Sequence, residues 1–193
     1  MNLSRRLLTR LAATVLAGAA LTTALPAFAA DPKVKFVTTD GNFVVELYPD
    51  KAPKTVENFL RYVKDKHYDG TIFHRVIDGF MIQGGGMTAN LQEKATRAPI
   101  PLEANNGLKN VRYSIAMARR PDPNSATAQF FINVKDNTML DAPKPDGHGY
   151  AVFGQVIAGQ EVVDKIRQVP TGRQGMYSDV PLRPVTIIAA TQL

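Results

Sequence analysis

Apolar and polar positions alternate in two short runs near the start of the ordinary globular part of the chain, Val34 to Thr39 and Asn42 to Tyr48, with Asp40-Gly41 between them. Alternation sends successive side chains to opposite faces of a strand, and an Asp-Gly link supplies the positive φ of a tight turn, so a hairpin is predicted here. The period then changes. Val56, Phe59, Leu60 and Val63 recur at i, i+3, i+4 and i+7, with Pro53 suited to a first turn, which predicts an amphipathic helix ending before Gly70. "TIFHRVI" and "FMIQ", joined by Asp78-Gly79, read as a second pair of strands ending at Gln83, and Gly84 to about Arg112 reads as irregular. Strand-like runs return at "YSIAMA", "QFFINV" and "YAVFGQVI". "EVVDKIRQV" is a short helix with Val162, Val163 and Ile166 on one side, and "RPVTIIAATQL" is a last strand. Seven or eight short strands with two helices, and no regular strand-helix alternation, predict a mainly β fold, an antiparallel barrel or sandwich capped by helices.

The first 29 residues stand apart from this pattern. Arg5, Arg6 and Arg10 precede a short apolar run from Leu11 to Leu25, and Ala27-Phe28-Ala29 supplies the small-x-small pattern of a secretory signal peptide. The run is shorter than the roughly 20 apolar residues that cross a bilayer. The expected organisation is therefore a signal peptide over 1–29, cleaved after Ala29, and one domain over 30–193, delivered to the periplasm without stable membrane association. "SRRLL" echoes a twin-arginine signal, so both export routes stay open.

Charge and cysteine content narrow the classes further. The chain has 23 basic and 17 acidic residues; three of the basic ones lie in the leader, which leaves 20 against 17, a net of +3 for the domain. Those charges are interspersed, as in "KDKHYD", rather than gathered into a basic stripe, so nucleic acid is not an expected partner. Cysteine is absent, and a domain of roughly 160 residues is large enough to be held by its core alone. A monomer is the default for one compact domain.

Common catalytic chemistries find little support. His67, His74 and His148 are the only histidines and none has a second ligand at metal spacing, so no metal is expected. "GGGM" at Gly84 to Met87 lacks the Gly-Lys-Ser/Thr of a phosphate loop and reads as a bend where backbone passes close. Ser125 has no neighbouring base in sequence, which leaves a hydrolase as a weak rival.

What remains is the strip Phe73 to Met87, one arginine and one glutamine set among aromatic and aliphatic side chains. Such residues suit a reaction that turns a bond without breaking one. Rotation about an X-Pro peptide bond meets a barrier of about 18 to 20 kcal/mol, set by amide resonance. In the twisted state the proline nitrogen regains its lone pair, so a fixed cationic donor aimed there favours the transition state over either planar isomer. An apolar slot would grip the proline ring, and an amide would hold the backbone of the preceding residue. On a period of two, Phe73, Arg75 and Ile77 are predicted to share a face, and Gln129 and Phe131 another, with Phe130 and Ile132 pointing to the core.

"FHRVIDGFMIQGGG", "SIAMAR", "SATAQFFINV" and "YAVFGQVIAGQEVVDKI", in that order, resemble the cyclophilin peptidyl-prolyl cis-trans isomerases, and with the leader the bacterial periplasmic branch. The resemblance implies a closed eight-stranded antiparallel β-barrel capped by two α-helices, no cofactor, and proline-containing peptides and unfolded exported proteins as partners. Position by position it implies Arg75 as the catalytic residue and a substrate site built from Phe80, Met81, Gln83, Ala118, Arg119, Gln129, Phe131, Leu140 and Tyr150. Met139 stands where eukaryotic relatives carry tryptophan and Tyr150 where they carry histidine, which implies weak cyclosporin binding. Asp78 and Arg119 replace a common proline and asparagine. The rival from another class is a non-catalytic chaperone or binding module for proline-containing segments.

Overall fold

The computed structural model describes residues 30–193. The predicted signal peptide lies outside the described residues. The elements run β1 (Lys33–Thr38), β2 (Gly41–Leu47), α1 (Pro53–Lys64), β3 (Thr71–Ile77), β4 (Met81–Thr88), β5 (Ser114–Met117), β6 (Phe130–Asn133), a 3₁₀ turn (Thr138–Leu140), β7 (Val152–Ala158), α2 (Gln160–Arg167), β8 (Thr171–Gln174), β9 (Tyr177–Pro181) and β10 (Ile187–Gln192).

Eight strands form one antiparallel sheet in the order β10-β1-β2-β7-β5-β6-β4-β3. Its two ends meet: the Gly70 N–H donates to Ile187 O at 2.8 Å, the Phe73 N–H donates to Val185 O at 3.0 Å, and Ile72 bridges Thr186. The sheet thus curls into a nearly closed barrel, which removes the exposed edges that an open sheet would present. Inside lie Phe36, Phe43, Phe59, Tyr68, Phe73, Phe130 and Phe153, all fully buried. Phe36 stacks on Phe43 at 4.9 Å, and Phe59, from α1, meets the Phe130 ring edge-on at 5.8 Å. The helix owes this place to Val56, Phe59 and Val63 of the predicted apolar stripe, while Leu60 is only partly buried.

No side chain within α1 caps its N-terminus. Glu103 does so from the long irregular segment: the Thr55 N–H donates to its Oε2 at 2.8 Å and the Thr55 hydroxyl to the same oxygen at 2.7 Å. A carboxylate at the positive end of a helix satisfies otherwise orphaned donors, and this one also ties down a segment that has little regular structure of its own.

The structure departs from the sequence reading in four places. In the first hairpin Thr38 pairs with Gly41, so the loop is Thr39-Asp40, one residue earlier than expected. The strand expected to stop at Gln83 continues to Thr88. Its glycines are required by close approach: at Gly85, with φ of +84°, a Cβ would lie 2.8 Å from the Phe130 ring. The expected shared face of Phe73, Arg75 and Ile77 is broken. Phe73 pairs with Gly84 and Arg75 with Gln83, so two steps of β3 oppose one step of β4. That bulge inverts the alternation, which leaves Phe73 in the core and Arg75 at the surface. Finally, β8 and β9 form a separate hairpin that the pattern did not indicate.

Candidate active site

The bulge aligns a row of side chains across neighbouring strands. Arg75 on β3 pairs with Gln83 on β4, Gln83 pairs with Phe131 on β6, and Phe131 pairs with Ala116 on β5. Directly opposed residues in antiparallel strands project on one face, and here that face is turned away from the core residues Ile82, Phe130 and Ile132. A guanidinium, an amide and an aromatic ring are therefore placed side by side by register alone.

A cavity of about 430 Å³ opens over this row. All ten residues singled out from the sequence line it: Arg75, Phe80, Met81 and Gln83 from β3, β4 and the turn between them, Ala118 and Arg119 just after β5, and Gln129, Phe131, Leu140 and Tyr150 beyond. Met81, Phe131 and Leu140 belong to a small apolar cluster with Ala116 and Val152, against which Phe80, Ala118 and Tyr150 pack. The Gln83 amide donates to Gln129 Oε1 at 2.9 Å, which fixes both amides beside the apolar slot. Gly86 makes room for that pair, since a Cβ there would lie 2.3 Å from Gln129 Cγ. A wider groove of about 780 Å³ continues from Gln83, Ala118, Arg119 and Gln129 between Lys94 and Asp122.

Two networks hold the apolar wall. Asp141 accepts from the backbone and side-chain N–H of Asn110 at 2.8 and 3.1 Å, Asn133 donates to Asn110 at 3.2 Å, and Asn137 donates to Asn133 and to Phe80 O, both at 2.7 Å. These bonds fasten the 3₁₀ turn carrying Leu140 and the loop carrying Phe80 to the barrel beneath. On the other side, the Arg119 side chain is 2% exposed and donates to both oxygens of Asp146, at 2.8 and 2.7 Å, and to Gly149 O at 3.0 Å. Its guanidinium lies 4.6 Å over the Tyr150 ring, which in turn meets Phe131 edge-on at 5.6 Å. The side chain of Arg119 is thus committed to bracing the wall.

Other residues, which the sequence pattern did not single out, also line the cavity: His74, Met87, Met176, Tyr177 and Ser178. Burial drives the His74 pKa down to about 4, so the imidazole is neutral at pH 7 and adds no charge beside Arg75. Adjacency to Arg75 was the available signal for His74. For residues 176–178, a hundred positions from Arg75, there was none. Among the described residues no three His, Cys, Asp or Glu side chains gather as a metal ligand set, and no helix is long and apolar enough to cross a membrane.

A guanidinium at the edge of an apolar slot, with paired amides alongside, suits a substrate that is apolar at its centre and peptide-like at its margins. Residues 33–192 match the model of the cyclophilin type peptidyl-prolyl cis-trans isomerase family, so the chain belongs to that family. It is 59% identical to a peptidyl-prolyl cis-trans isomerase of Streptomyces antibioticus over 81% of this chain and 96% of the relative. It is 54% identical to peptidyl-prolyl cis-trans isomerase B of Escherichia coli, over 82% and 98% of the two chains. The crystal structure of a Cryptosporidium parvum cyclophilin superposes with a TM-score of 0.70 at 27% identity, covering 84% of this chain and 98% of that one. The same parasite protein has been solved in the presence of the dipeptide Ala-Pro. The reaction of this chain is accordingly cis-trans isomerisation of X-Pro peptide bonds.

Proposed function

We propose that Arg75 carries the catalysis and that Phe80, Met81, Phe131 and Leu140, with Tyr150 behind Phe131, receive the proline ring. The paired amides of Gln83 and Gln129, with the main chain at Ala118 and Arg119, hold the segment before it. The observation that carries this reading is the row Arg75, Gln83, Phe131 across three strands, which sets a cationic donor beside an apolar slot. In the planar ground state the proline nitrogen is drawn into amide resonance and accepts poorly. As the bond twists, its lone pair localises, and the guanidinium then gains a partner that neither planar isomer offers. The apolar wall excludes water from that contact and so strengthens it. No proton moves and no group is transferred.

Protease-coupled kinetics on a short X-Pro peptide test the assignment. Arg75→Ala is expected to lower kcat/KM by on the order of a hundredfold, about 2.7 kcal/mol of transition-state stabilisation. Equal values for parent and variant would overturn it.

For the cell, the basic leader with its apolar run and Ala27-Phe28-Ala29 supports export to the periplasm, cleavage after Ala29, and action by the 30–193 domain, as a monomer, on exported proteins still folding. Mass spectrometry of the protein recovered from the periplasm is expected to find Ala30 as its first residue. An intact chain confined to the cytoplasm would contradict the export reading and leave the enzymatic one standing.

A further inference from the structure

The hairpin of β8 and β9 pairs with no barrel strand. Its base is fixed, with Val180 and Pro181 buried and the Leu182 N–H donating to Pro170 O at 2.9 Å. From there β9 packs against β3, the strand that carries Arg75. The turn then brings Met176, Tyr177 and Ser178 to the rim of the cavity. Met176 is 83% exposed, the most exposed of the large apolar side chains among the described residues, and it stands beside a largely apolar slot. Asp179, at φ of +60°, places a carboxylate oxygen 4.0 Å from Arg75 Nε, so the hairpin reaches the guanidinium itself.

Order across the sheet gives the direction of a bound chain. The sequence of strands is β3, β4, β6, β5, with the hairpin against β3. Gln83, Gln129 and Ala118 lie on the β4, β6 and β5 side of Arg75, and the wider groove continues from them. If the proline ring fills the slot and the preceding residues follow that groove, the chain after proline leaves past Arg75 toward the hairpin. We propose that Met176 and Tyr177 form a subsite for the side chain of the residue following proline, one that favours large apolar or aromatic side chains. A flexible thioether and a partly buried phenol ring give adaptable apolar contact, worth little to a glycine at that position and most to a phenylalanine. This rests on the proposed placement of the proline in the cavity.

The test is two-dimensional NMR exchange spectroscopy on Ala-Ala-Pro-Phe and Ala-Ala-Pro-Gly peptides, a readout that needs no coupled protease. The parent is expected to prefer Phe over Gly by about threefold to tenfold in kcat/KM. Met176→Ser and Tyr177→Ser are each expected to bring that ratio toward one through a raised KM for the Phe peptide. Varying instead the residue before proline, as Phe-Pro against Ala-Pro, is expected to give the same ratio in parent and variants. A parent without preference, a ratio kept in both variants, or a shift confined to the residue before proline would overturn the subsite. Arg75→Ala on the same peptides separates the two readings: it lowers both rates alike if the cavity is the proline site, and lowers neither if that placement is wrong.

Discussion

Phe130 and Phe131 are neighbours on β6 and both are buried, yet they belong to different parts of the molecule. Phe130 sits in the barrel interior among Phe36, Phe59, Tyr68 and Phe73; Phe131 faces the other way, into the small cluster with Met81, Leu140 and Val152. The interior cluster is large, continuous and closed. The outer one is small, opens onto the cavity, and is held in place by the Asn110-Asp141-Asn133-Asn137 network and by Arg119. On the proposed placement of the substrate, one strand serves stability on one face and substrate binding on the other, and the two should respond differently to the same kind of change.

The largest separation is expected from truncating each ring. Phe130→Ala opens a void among close-packed rings and should cost about 3 to 5 kcal/mol in urea unfolding. Phe131→Ala enlarges a cavity that is already open to water, so its stability cost should be smaller, while kcat/KM on an X-Pro peptide falls about tenfold or more, on the order of 1.4 kcal/mol. Equal stability losses with equal activity losses would erase the distinction.

His74 lies between the two regions, and its effect is a pH dependence. Its folded pKa of about 4 is below the unfolded value of 6.5, so the unfolded chain takes up a proton that the folded one refuses. Stability should be full above pH 6.5 and fall as the pH drops toward 4, by up to about 3 kcal/mol. His67, also pushed down by burial, adds in the same direction. Unfolding midpoints between pH 7 and 4 for the parent and His74→Asn measure it; a parent midpoint that rises on acidification over this window would be the wrong sign.

Gly86→Ala tests the outer region without touching the core. Its Cβ must displace Gln129, which should lower kcat/KM several-fold, roughly 1 kcal/mol, with a small change in unfolding midpoint. The smallest effect expected is an asymmetry in the brace. Asp146→Asn strands the buried Arg119 guanidinium without a counter-ion, whereas Arg119→Met leaves a carboxylate that is 38% exposed and able to hydrate. The melting temperature should therefore fall further for Asp146→Asn than for Arg119→Met, and the reverse order would mean that the contact is not a brace.

Much of this division is legible in the order of the amino acids. Alternation along "QFFINV" sends Phe130 and Phe131 to opposite faces, and the residues lining the cavity carry side chains whose chemistry suits the reaction. What alternation does not reveal is the bulge in β3, because a single extra residue leaves no mark on hydrophobicity while inverting every face after it. The extension of β4 is hidden for a related reason: glycine has no side chain to show a period, and close approach to Phe130 and Gln129 is a tertiary fact. The β8–β9 hairpin is hidden by its polarity, since "TGRQGMYSDV" buries little and depends on β3 for support. Long-range polar pairs such as Glu103 with Thr55 are likewise properties of the fold, with no sequence spacing to announce them.

The role proposed for Arg75, favouring the twisted imide over either planar isomer, separates binding from turnover. NMR exchange rates of a saturated X-Pro peptide, with the dissociation constant of the same peptide measured alongside, test it most directly. For Arg75→Ala the affinity is expected to stay within about threefold of the parent while on-enzyme exchange slows by on the order of a hundredfold. Loss of affinity with undiminished exchange at saturation would make Arg75 a binding residue only and contradict the claim.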